Sequence, residues 1–187
     1  MSLRVITGSA KGRRLKVVPG DSTRAITDRV KESLFNILGS DIKGAILWDL
    51  FGGTGAVGIE ALSRGAAFVY FLDHSWDAIK TIRSNLEHTH LTDHAEIRHG
   101  DSFTMLAKPP DRKFDYIYIA PPQYQELWLK ALRALDDNPG WMNENAWVIV
   151  QVHPREYQSL SLQNLNEFDQ RKYGSTLLIF YENKTCR

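Results

Sequence analysis

The sequence has little cysteine, no long apolar run and almost no net charge, and each shortage excludes a class of protein. With one cysteine, Cys186, the chain of 187 residues can form no intramolecular disulfide, so we expect a reducing, cytoplasmic compartment. The longest apolar run, at residues 45–51, contains Asp49 and is too short to span a bilayer. The N-terminus shows no signal-peptide pattern. We therefore expect no membrane partner.

Metal-binding patterns are also absent from the sequence. None of the six histidines combines with cysteine or acids at a spacing typical of a metal site. His90 and His94 are four residues apart, but the nearby Asp93 is a common coincidence on a polar surface. No nucleophile elbow or catalytic triad is indicated. We therefore expect no metal and no covalent enzyme intermediate.

The near-zero net charge conceals an uneven distribution. The whole chain has 23 basic and 22 acidic residues, but residues 1–32 have eight basic and three acidic ones, a net charge of +5. The remaining residues have 15 basic and 19 acidic ones, a net charge of −4. A basic N-terminal part on a mildly acidic body predicts contact with a polyanion. The alternative, a solvated lobe that is basic without a partner, stays open at this point.

Hydrophobic periodicity predicts an α/β protein of one ordinary domain with a small N-terminal appendage. Residues 3–7 and 14–18 alternate apolar and polar side chains, which predicts a β-hairpin, and Thr27 can cap a helix over residues 28–38. The boundary between the appendage, residues 1–39, and the body, residues 40–187, falls near 39–44. The predicted strands of the body are 45–49, 68–72, 95–99, 114–119, 147–152, 168–173 and 177–181, and its helices are 56–63, 76–88 and 123–135. Alternating strands and helices indicate a parallel sheet covered on both faces, with the last two strands forming an antiparallel edge.

The strongest local motif is Asp49-Leu-Phe-Gly-Gly-Thr-Gly55, which follows a strand and opens a helix. Gly53, Gly55 and Gly58 fit the dinucleotide fingerprint, with Asp73 at the end of the next strand as the acid for a ribose. The motif predicts a nucleotide-like ligand, either a dinucleotide or S-adenosylmethionine. Asp49 favours the second, because a carboxylate attracts the amino group of a methionine moiety and repels a pyrophosphate.

Two further segments belong to the same predicted edge of the sheet. Asp101 follows the third strand and could accept the adenine amino group, although a helix N-cap explains it equally well. Ala120-Pro-Pro122 follows the fourth strand, where two prolines fix the backbone, and Tyr124 offers a flat face on which a base could stack. The alternative for this second segment is a rigid strand exit with a surface tyrosine.

Taken in order, four segments of this chain resemble the RsmD-type methyltransferases, which modify the exocyclic N2 of a guanine in small-subunit ribosomal RNA. These segments are Thr27-Asp-Arg-Val-Lys-Glu32, Asp49-Leu-Phe-Gly-Gly-Thr-Gly55, Glu60-Ala-Leu-Ser-Arg-Gly65 and Ala120-Pro-Pro122. The resemblance covers nearly the whole chain. It implies a class I methyltransferase fold with a seven-stranded mixed sheet, S-adenosylmethionine as methyl donor, and small-subunit ribosomal RNA or the assembling small subunit as partner. We expect a monomer.

The motifs, the charge distribution and the resemblance together predict the site residues. Those for the cofactor are Asp49, Phe51, Gly52, Gly53, Thr54, Gly55, Asp73, His74, Asp101 and Ser102. Those for the target base are Ala120, Pro121, Pro122 and Tyr124, and those for RNA are Arg4, Lys11, Arg13, Arg14, Arg24, Thr27 and Arg29. The arginines and the lysine would contact phosphates, which positions RNA without specifying its sequence.

One segment departs from the family pattern, which reads Asp-Pro-Pro followed by Tyr or Phe. This chain has Ala120 in place of the acid and Gln123 in place of the aromatic residue, with Tyr124 one position later. Alanine cannot accept the hydrogen bond that would hold the guanine amine, and losing such an acceptor costs on the order of 100-fold in rate. Three hypotheses stand: an active guanine-N2 methyltransferase; an RNA-binding protein of the same fold with weakened chemistry, which Ala120 and Gln123 motivate; and an NAD-dependent oxidoreductase, which the glycine fingerprint motivates.

Overall fold

The computed structural model describes residues 3–20 and 26–184. Its strands are β1 Ile46–Asp49, β2 Phe68–Asp73, β3 Ala95–His99, β4 Phe114–Ile119, β5 Met142–Val152, β6 Leu165–Tyr173 and β7 Thr176–Asn183. Its α-helices are α1 Asp28–Leu38, α2 Ala56–Ser63, α3 Trp76–Thr89, α4 Ser102–Leu106 and α5 Leu127–Asp137. Short 3-10 turns occupy Gly39–Ile42, Thr92–His94, Pro139–Trp141 and Pro154–Glu156. No helix in this described part is long and apolar enough to cross a membrane.

The strands form one seven-stranded sheet in the order β3-β2-β1-β4-β5-β7-β6. The first five strands in this order are parallel, and the β6–β7 hairpin adds the antiparallel edge that the sequence predicts. Strand order reverses between β1 and β4, where Asp49 is in register with Phe71 on one side and Tyr118 on the other. In open α/β sheets, ligands bind at the carboxyl ends of the strands at such a reversal. The predicted α/β fold is confirmed.

Each face of the sheet is covered by its own group of helices. Because side chains alternate along a strand, Leu47 packs towards α1, α2 and α3, whereas Trp48 packs towards α4 and α5. The second face contains an aromatic cluster in which the ring of Trp48 lies 4.8 Å from that of Phe114 and 4.9 Å from that of Trp141. Burial on both faces explains why the central strands read as continuous apolar runs.

The structure of residues 3–18 differs from the sequence prediction in one respect. Residues 3–18 reverse direction as predicted, but the pairing is a single bridge between Arg4 and Arg14 rather than a two-stranded ladder. The N–H groups of Val5 and Leu15 donate across the bridge to Arg13 and Leu3, but the next amides along the first arm are bound elsewhere. The N–H groups of Ile6 and Thr7 donate to the two carboxylate oxygens of Glu60, at 2.8 and 3.0 Å. The segment therefore docks on α2 more than it pairs with itself.

A buried ion cluster holds this docked segment. The side chains of Lys31 and Glu60 are fully buried, with Nζ 3.4 Å from Oε2, and Arg64 Nε lies 2.8 Å from Glu60 Oε1. Lys31 Nζ also donates to the carbonyl of Arg4 at 2.5 Å. Burial lowers the pKa of Lys31, although Glu60 opposes this shift. Residues 3–18 also contribute Leu3, Val5, Ala10 and Leu15 to the core between the sheet and α1–α3.

The boundaries of α5 also differ from the sequence prediction. The helix begins at Leu127 rather than at residue 123. Tyr124 and Glu126 have φ angles of +61° and +54°, and residues in this left-handed conformation cannot continue a right-handed helix. The segment after β4 is consequently an exposed turn of irregular backbone. This turn forms one wall of the cleft described next.

Candidate cofactor and acceptor cleft

A cleft with a volume of about 970 Å³ opens at the carboxyl ends of β1, β2 and β4. Seven of the ten predicted cofactor residues line it, together with all four residues predicted for the target base. These are Asp49, Phe51, Gly52, Gly53, Thr54, Asp73 and His74, and Ala120, Pro121, Pro122 and Tyr124. Residues 17–20 and Ile26 form a further part of the rim. The fold thus brings the glycine motif and the Ala-Pro-Pro segment, 65 residues apart, to one site.

The glycine loop connects β1 to α2 and leaves its backbone open to the cleft. Gly53 and Gly55 have φ angles of +54° and +75°, a conformation that favours glycine. A Cβ on Gly53 would have its nearest neighbour 3.9 Å away, so nothing covers this peptide. A Cβ on Gly58 would lie 2.3 Å from the ring of Phe71, so this third glycine permits close packing of α2 on the sheet. The N-terminus of α2 beside the loop favours an anionic ligand group.

Asp49 is the unusual acid of the cleft. Its side chain lies at the end of β1 and the residue is 2% exposed. Its carboxylate accepts one long hydrogen bond, 3.4 Å, from the N–H of Gly58, and no Lys or Arg of the described residues forms an ion pair with it. Burial raises the pKa of Asp49 to about 8, and the nearby charge of Asp73 adds to this effect. A buried, uncompensated carboxyl group is suited to receive a cation.

Asp73 ends β2 and holds the glycine loop in place. Its Oδ2 accepts from the N–H of Gly53 at 2.8 Å, and its Oδ1 accepts from the N–H of Ser75 at 2.8 Å. The ring Nδ1 of His74 lies 3.6 Å from Oδ1, and this histidine is largely exposed. A second loop contact, from the N–H of Gly52 to the carbonyl of Leu72, measures 2.8 Å. The acid is therefore fixed at the cleft with its remaining lone pairs available to hydroxyl groups.

Three predicted cofactor residues do not line the cleft. Gly55 is buried behind the loop as the N-cap residue of α2. Asp101 caps α4, accepting from the N–H and the hydroxyl of Thr104 at 2.7 and 2.8 Å, and these bonds lower the pKa of Asp101. Ser102 donates to the carbonyl of Leu50 at 2.8 Å. The structure gives Asp101 the N-cap role that the sequence left open, and the adenine contact stays a prediction.

The acceptor wall is formed by the turn after β4. Tyr124 is 65% exposed, and its N–H donates to Glu156 Oε1 at 2.7 Å. Glu156 is itself held by the N–H of His153, and the rings of Tyr124 and His153 lie 5.7 Å apart. The left-handed backbone of Tyr124 is thus supported by the turn that follows β5. This support keeps the aromatic ring at the mouth of the cleft.

Among the cleft residues missing from the sequence-based list are two polar neighbours, Tyr118 and Gln151. Tyr118 Oη donates to Gln151 Oε1 at 2.5 Å. Two signals could have found them. Tyr118 precedes Ala120 by two residues, which places both side chains on one face of the sheet, and Gln151 interrupts the otherwise apolar run 147–152.

The predicted RNA-binding residues divide into free and engaged groups. Lys11, Arg14 and Arg29 are exposed. Arg4 pairs with Asp28 at 2.8 Å, and Arg13 donates to the carbonyl of His88. Thr27 is the N-cap of α1, its hydroxyl accepting from the N–H of Val30 at 3.4 Å. Arg24 lies outside the described residues. In the described ranges, no group of three or more His, Cys, Asp or Glu side chains could hold a metal ion.

The strand order, the glycine loop and the acid at the end of β2 together define a class I methyltransferase fold. Solved structures agree. "Putative methyltransferase yhhF from Escherichia coli" has 28% identity, covers 99% of both chains and gives a TM-score of 0.87. The methylase HI0767 from Haemophilus influenzae, also described as putative, has 29% identity, covers 98% of this chain and 99% of its own, and gives a TM-score of 0.82.

Sequence comparisons define the family. A family model described as "Conserved hypothetical protein 95" matches residues 3–182. The chain is 40% identical over 185 residues to "Putative rRNA methyltransferase YlbH" of Bacillus subtilis, covering 97% of this chain and 100% of that relative. It is 30% identical over 183 residues to "Ribosomal RNA small subunit methyltransferase D" of Haemophilus influenzae, covering 97% and 94%. The chain belongs to this family, and its resemblance to RsmD-type methyltransferases is confirmed.

Proposed function

We propose that this protein transfers the methyl group of S-adenosylmethionine to the exocyclic N2 of a guanine in small-subunit ribosomal RNA. The observation that carries the proposal is the single cleft in which Asp49, buried and with no cationic partner among the described residues, faces the same space as the Ala120-Pro121-Pro122 segment. Relatives named as ribosomal RNA methyltransferases support the reaction class. The guanine N2 target rests on the RsmD-type motifs.

The cleft residues fit S-adenosylmethionine, whose sulfonium supplies an electrophilic methyl group when it is bound. Asp49 would receive the amino group of the methionine moiety, since an ammonium group compensates a buried carboxylate. The N-terminus of α2 would favour the carboxylate of the same moiety. Asp73 would accept the ribose hydroxyls from the end of β2, a role that an acid at this position has in nucleotide-binding folds. His74, Phe51 and Thr54 would enclose the ligand.

The acceptor wall would hold the guanine. Its exocyclic amine is a poor nucleophile because its lone pair is delocalised into the ring, so orientation and proximity are the main tasks of the enzyme. A backbone carbonyl of Ala120 or Pro121 would accept a hydrogen bond from one N–H of this amine, and Pro122 would fix the backbone that presents it. Tyr124 would stack on the base, which must leave its own stack to enter the cleft.

The basic N-terminal part would bind the RNA backbone. We propose residues 1–39 as the appendage that grips RNA and residues 40–187 as the methyltransferase domain. Lys11, Arg14 and Arg29 are exposed and available to phosphates, whereas Arg4 would have to exchange Asp28 for a phosphate. The partner would be small-subunit RNA, free or in an assembling particle, and the enzyme would act as a monomer.

The experiment that tests the proposal combines cofactor binding with methyl transfer. Calorimetry with S-adenosylhomocysteine and with NAD separates a methyltransferase from an oxidoreductase, and we expect binding of the first alone. Incubation with labelled S-adenosylmethionine and undermethylated small subunits should then place label in the RNA. Ala120 favours a second candidate, an RNA-binding protein with weakened chemistry. Tight cofactor binding with no label in RNA would support that candidate instead.

A further inference from the structure

Tyr118 and Gln151 lie beside the position at which this chain lacks the family acid. Tyr118 is on β4 two residues before Ala120, so the two side chains share one face of the sheet. The register Ile119↔Val150 between β4 and β5 brings the next residue, Gln151, level with Ala120. Because the Tyr118 hydroxyl reaches the Gln151 amide, this hydroxyl lies forward of its own Cα, near the level of Ala120. Both side chains line the cleft.

The direction of the hydrogen bond between Tyr118 and Gln151 determines whether the Tyr118 hydroxyl can accept a further hydrogen bond. A tyrosine hydroxyl has one proton and two lone pairs, and the Tyr118 proton is donated to Gln151 Oε1 at 2.5 Å. The lone pairs therefore remain for an external donor, and a hydroxyl that donates its own proton becomes a stronger acceptor. Burial raises the pKa of Tyr118 well above its usual value, so the group stays neutral and protonated. An amine N–H is the kind of donor that such an oxygen accepts.

We propose that the Tyr118 hydroxyl, oriented by Gln151, accepts a hydrogen bond from the exocyclic amine of the target guanine and so replaces the carboxylate that Ala120 lacks. This inference rests on the proposed function. Tyr118 would contact the substrate, whereas Gln151 would be a positioning residue that acts through Tyr118. The hydroxyl only orients the amine: the methyl passes from the sulfonium to N2, the donor leaves as neutral S-adenosylhomocysteine, and the proton that N2 loses goes to water. Ala120 leaves the space beside it in which the amine would lie.

The test measures methyl transfer to undermethylated small subunits by four variants. Tyr118→Phe should lower kcat by about 10- to 100-fold and leave the affinity for S-adenosylhomocysteine within about twofold. Adding Ala120→Asp to this variant should restore at least half of the lost activity on a logarithmic scale, because a carboxylate again accepts from the amine. Gln151→Leu should also lower kcat, with little further loss when combined with Tyr118→Phe, since the two residues act as one unit.

Tyr116 offers a matched control, because it lies on the same strand and face, is buried, and does not line the cleft. Tyr116→Phe should leave kcat within about twofold. A Tyr118→Phe enzyme as fast as the wild type would overturn this inference but leave the proposed function unaffected. Loss of cofactor affinity with no rescue by Ala120→Asp would also overturn it, by giving Tyr118 a structural role. No transfer by the wild type, with cofactor still bound, would contradict the proposed function and the inference with it.

Discussion

The two halves of the cleft are built differently. On the cofactor side, Asp49 and Asp73 project from strand ends, and backbone hydrogen bonds tie the glycine loop to β2. On the acceptor side, the turn after β4 is exposed, and one interaction with Glu156 supports its left-handed tyrosine. The cofactor side depends on the sheet edge and backbone, whereas the acceptor side depends on individual side chains.

The largest expected effect is on the cofactor side. Asp49→Asn keeps the shape of the side chain but removes the charge that would meet the amino group of the ligand. Removing one member of a buried ion pair costs about 3–5 kcal/mol, so affinity for S-adenosylhomocysteine should fall on the order of 100-fold or more. Calorimetry measures this change, and Asp93→Asn, at an exposed position outside the cleft, is the control. Equal affinities for the two variants would contradict the role of Asp49.

The same residue predicts a pH dependence. The pKa of Asp49 is raised from the ordinary 3.8 to about 8, so the folded protein without cofactor binds a proton that the unfolded chain releases. The stability contribution of this proton is full below about pH 4 and is lost as pH rises to about 8. Urea unfolding at pH 5, 7 and 9 should show this decline in the wild type, and a smaller decline in Asp49→Asn. An identical decline in both proteins would assign the effect to other groups.

Packing of α2 against the sheet gives a third, smaller effect, on the free energy of unfolding. Gly58→Ala would place a Cβ 2.3 Å from the ring of Phe71, so the free energy of unfolding should fall by about 1–3 kcal/mol. Gly100→Ala is the control, because its Cβ would meet the side chain of Leu72 at an ordinary 3.5 Å. Chemical denaturation compares the two. Equal stabilities would mean that the cofactor side is less rigid than the contacts indicate.

A substitution on the acceptor side should change kcat/KM for the RNA substrate rather than the affinity for the cofactor. Tyr124→Ala removes the proposed stacking surface, and stacking of a base on an aromatic ring contributes about 1–3 kcal/mol. The kcat/KM for the RNA substrate should therefore fall about tenfold, while affinity for S-adenosylhomocysteine stays within about twofold. A variant that loses cofactor affinity instead would show that the two halves of the cleft are not independent.

The smallest expected effect concerns the basic N-terminal part. Lys11→Ala with Arg14→Ala removes two exposed charges without disturbing the bond between Arg13 and His88. If each charge contacts one phosphate, the slope of log affinity for RNA against log salt should become less steep by about 0.7–0.9 per residue. Binding titrations between low and physiological salt measure the slope. An unchanged slope would leave this segment as a structural element.

Local patterns predicted the elements that local chemistry determines. The bounds of α2, β3 and β4 agree with the prediction, because a cap, a glycine stop or a continuous β-branched and aromatic run marks each end. The predicted N-terminal ladder stops at one bridge because the N–H groups of Ile6 and Thr7 bind Glu60, more than 50 residues away. The predicted start of α5 is wrong because Tyr124 and Glu126 adopt left-handed conformations, which no sequence pattern predicts.

The candidate site, like the fold, was predictable where local sequence signals determine it. The glycine motif is one continuous segment and Asp73 ends the next predicted strand, so the cofactor side could be predicted from the sequence. Tyr118 and Gln151 are 33 residues apart and meet only because β4 and β5 pair in one register. Asp101 was ambiguous because its cap bonds to Thr104 and a ligand contact require the same residue type at the same place.

The central claim is that this cleft methylates a guanine despite Ala120, and analysis of the modified nucleoside tests it most directly. Undermethylated small subunits are incubated with the wild-type protein and S-adenosylmethionine, and their RNA is digested to nucleosides and analysed by mass spectrometry. The proposed function predicts time-dependent formation of N2-methylguanosine, with none in the Asp49→Asn reaction over the same period. Absence of N2-methylguanosine from the wild-type reaction, while calorimetry shows S-adenosylhomocysteine bound, would contradict it.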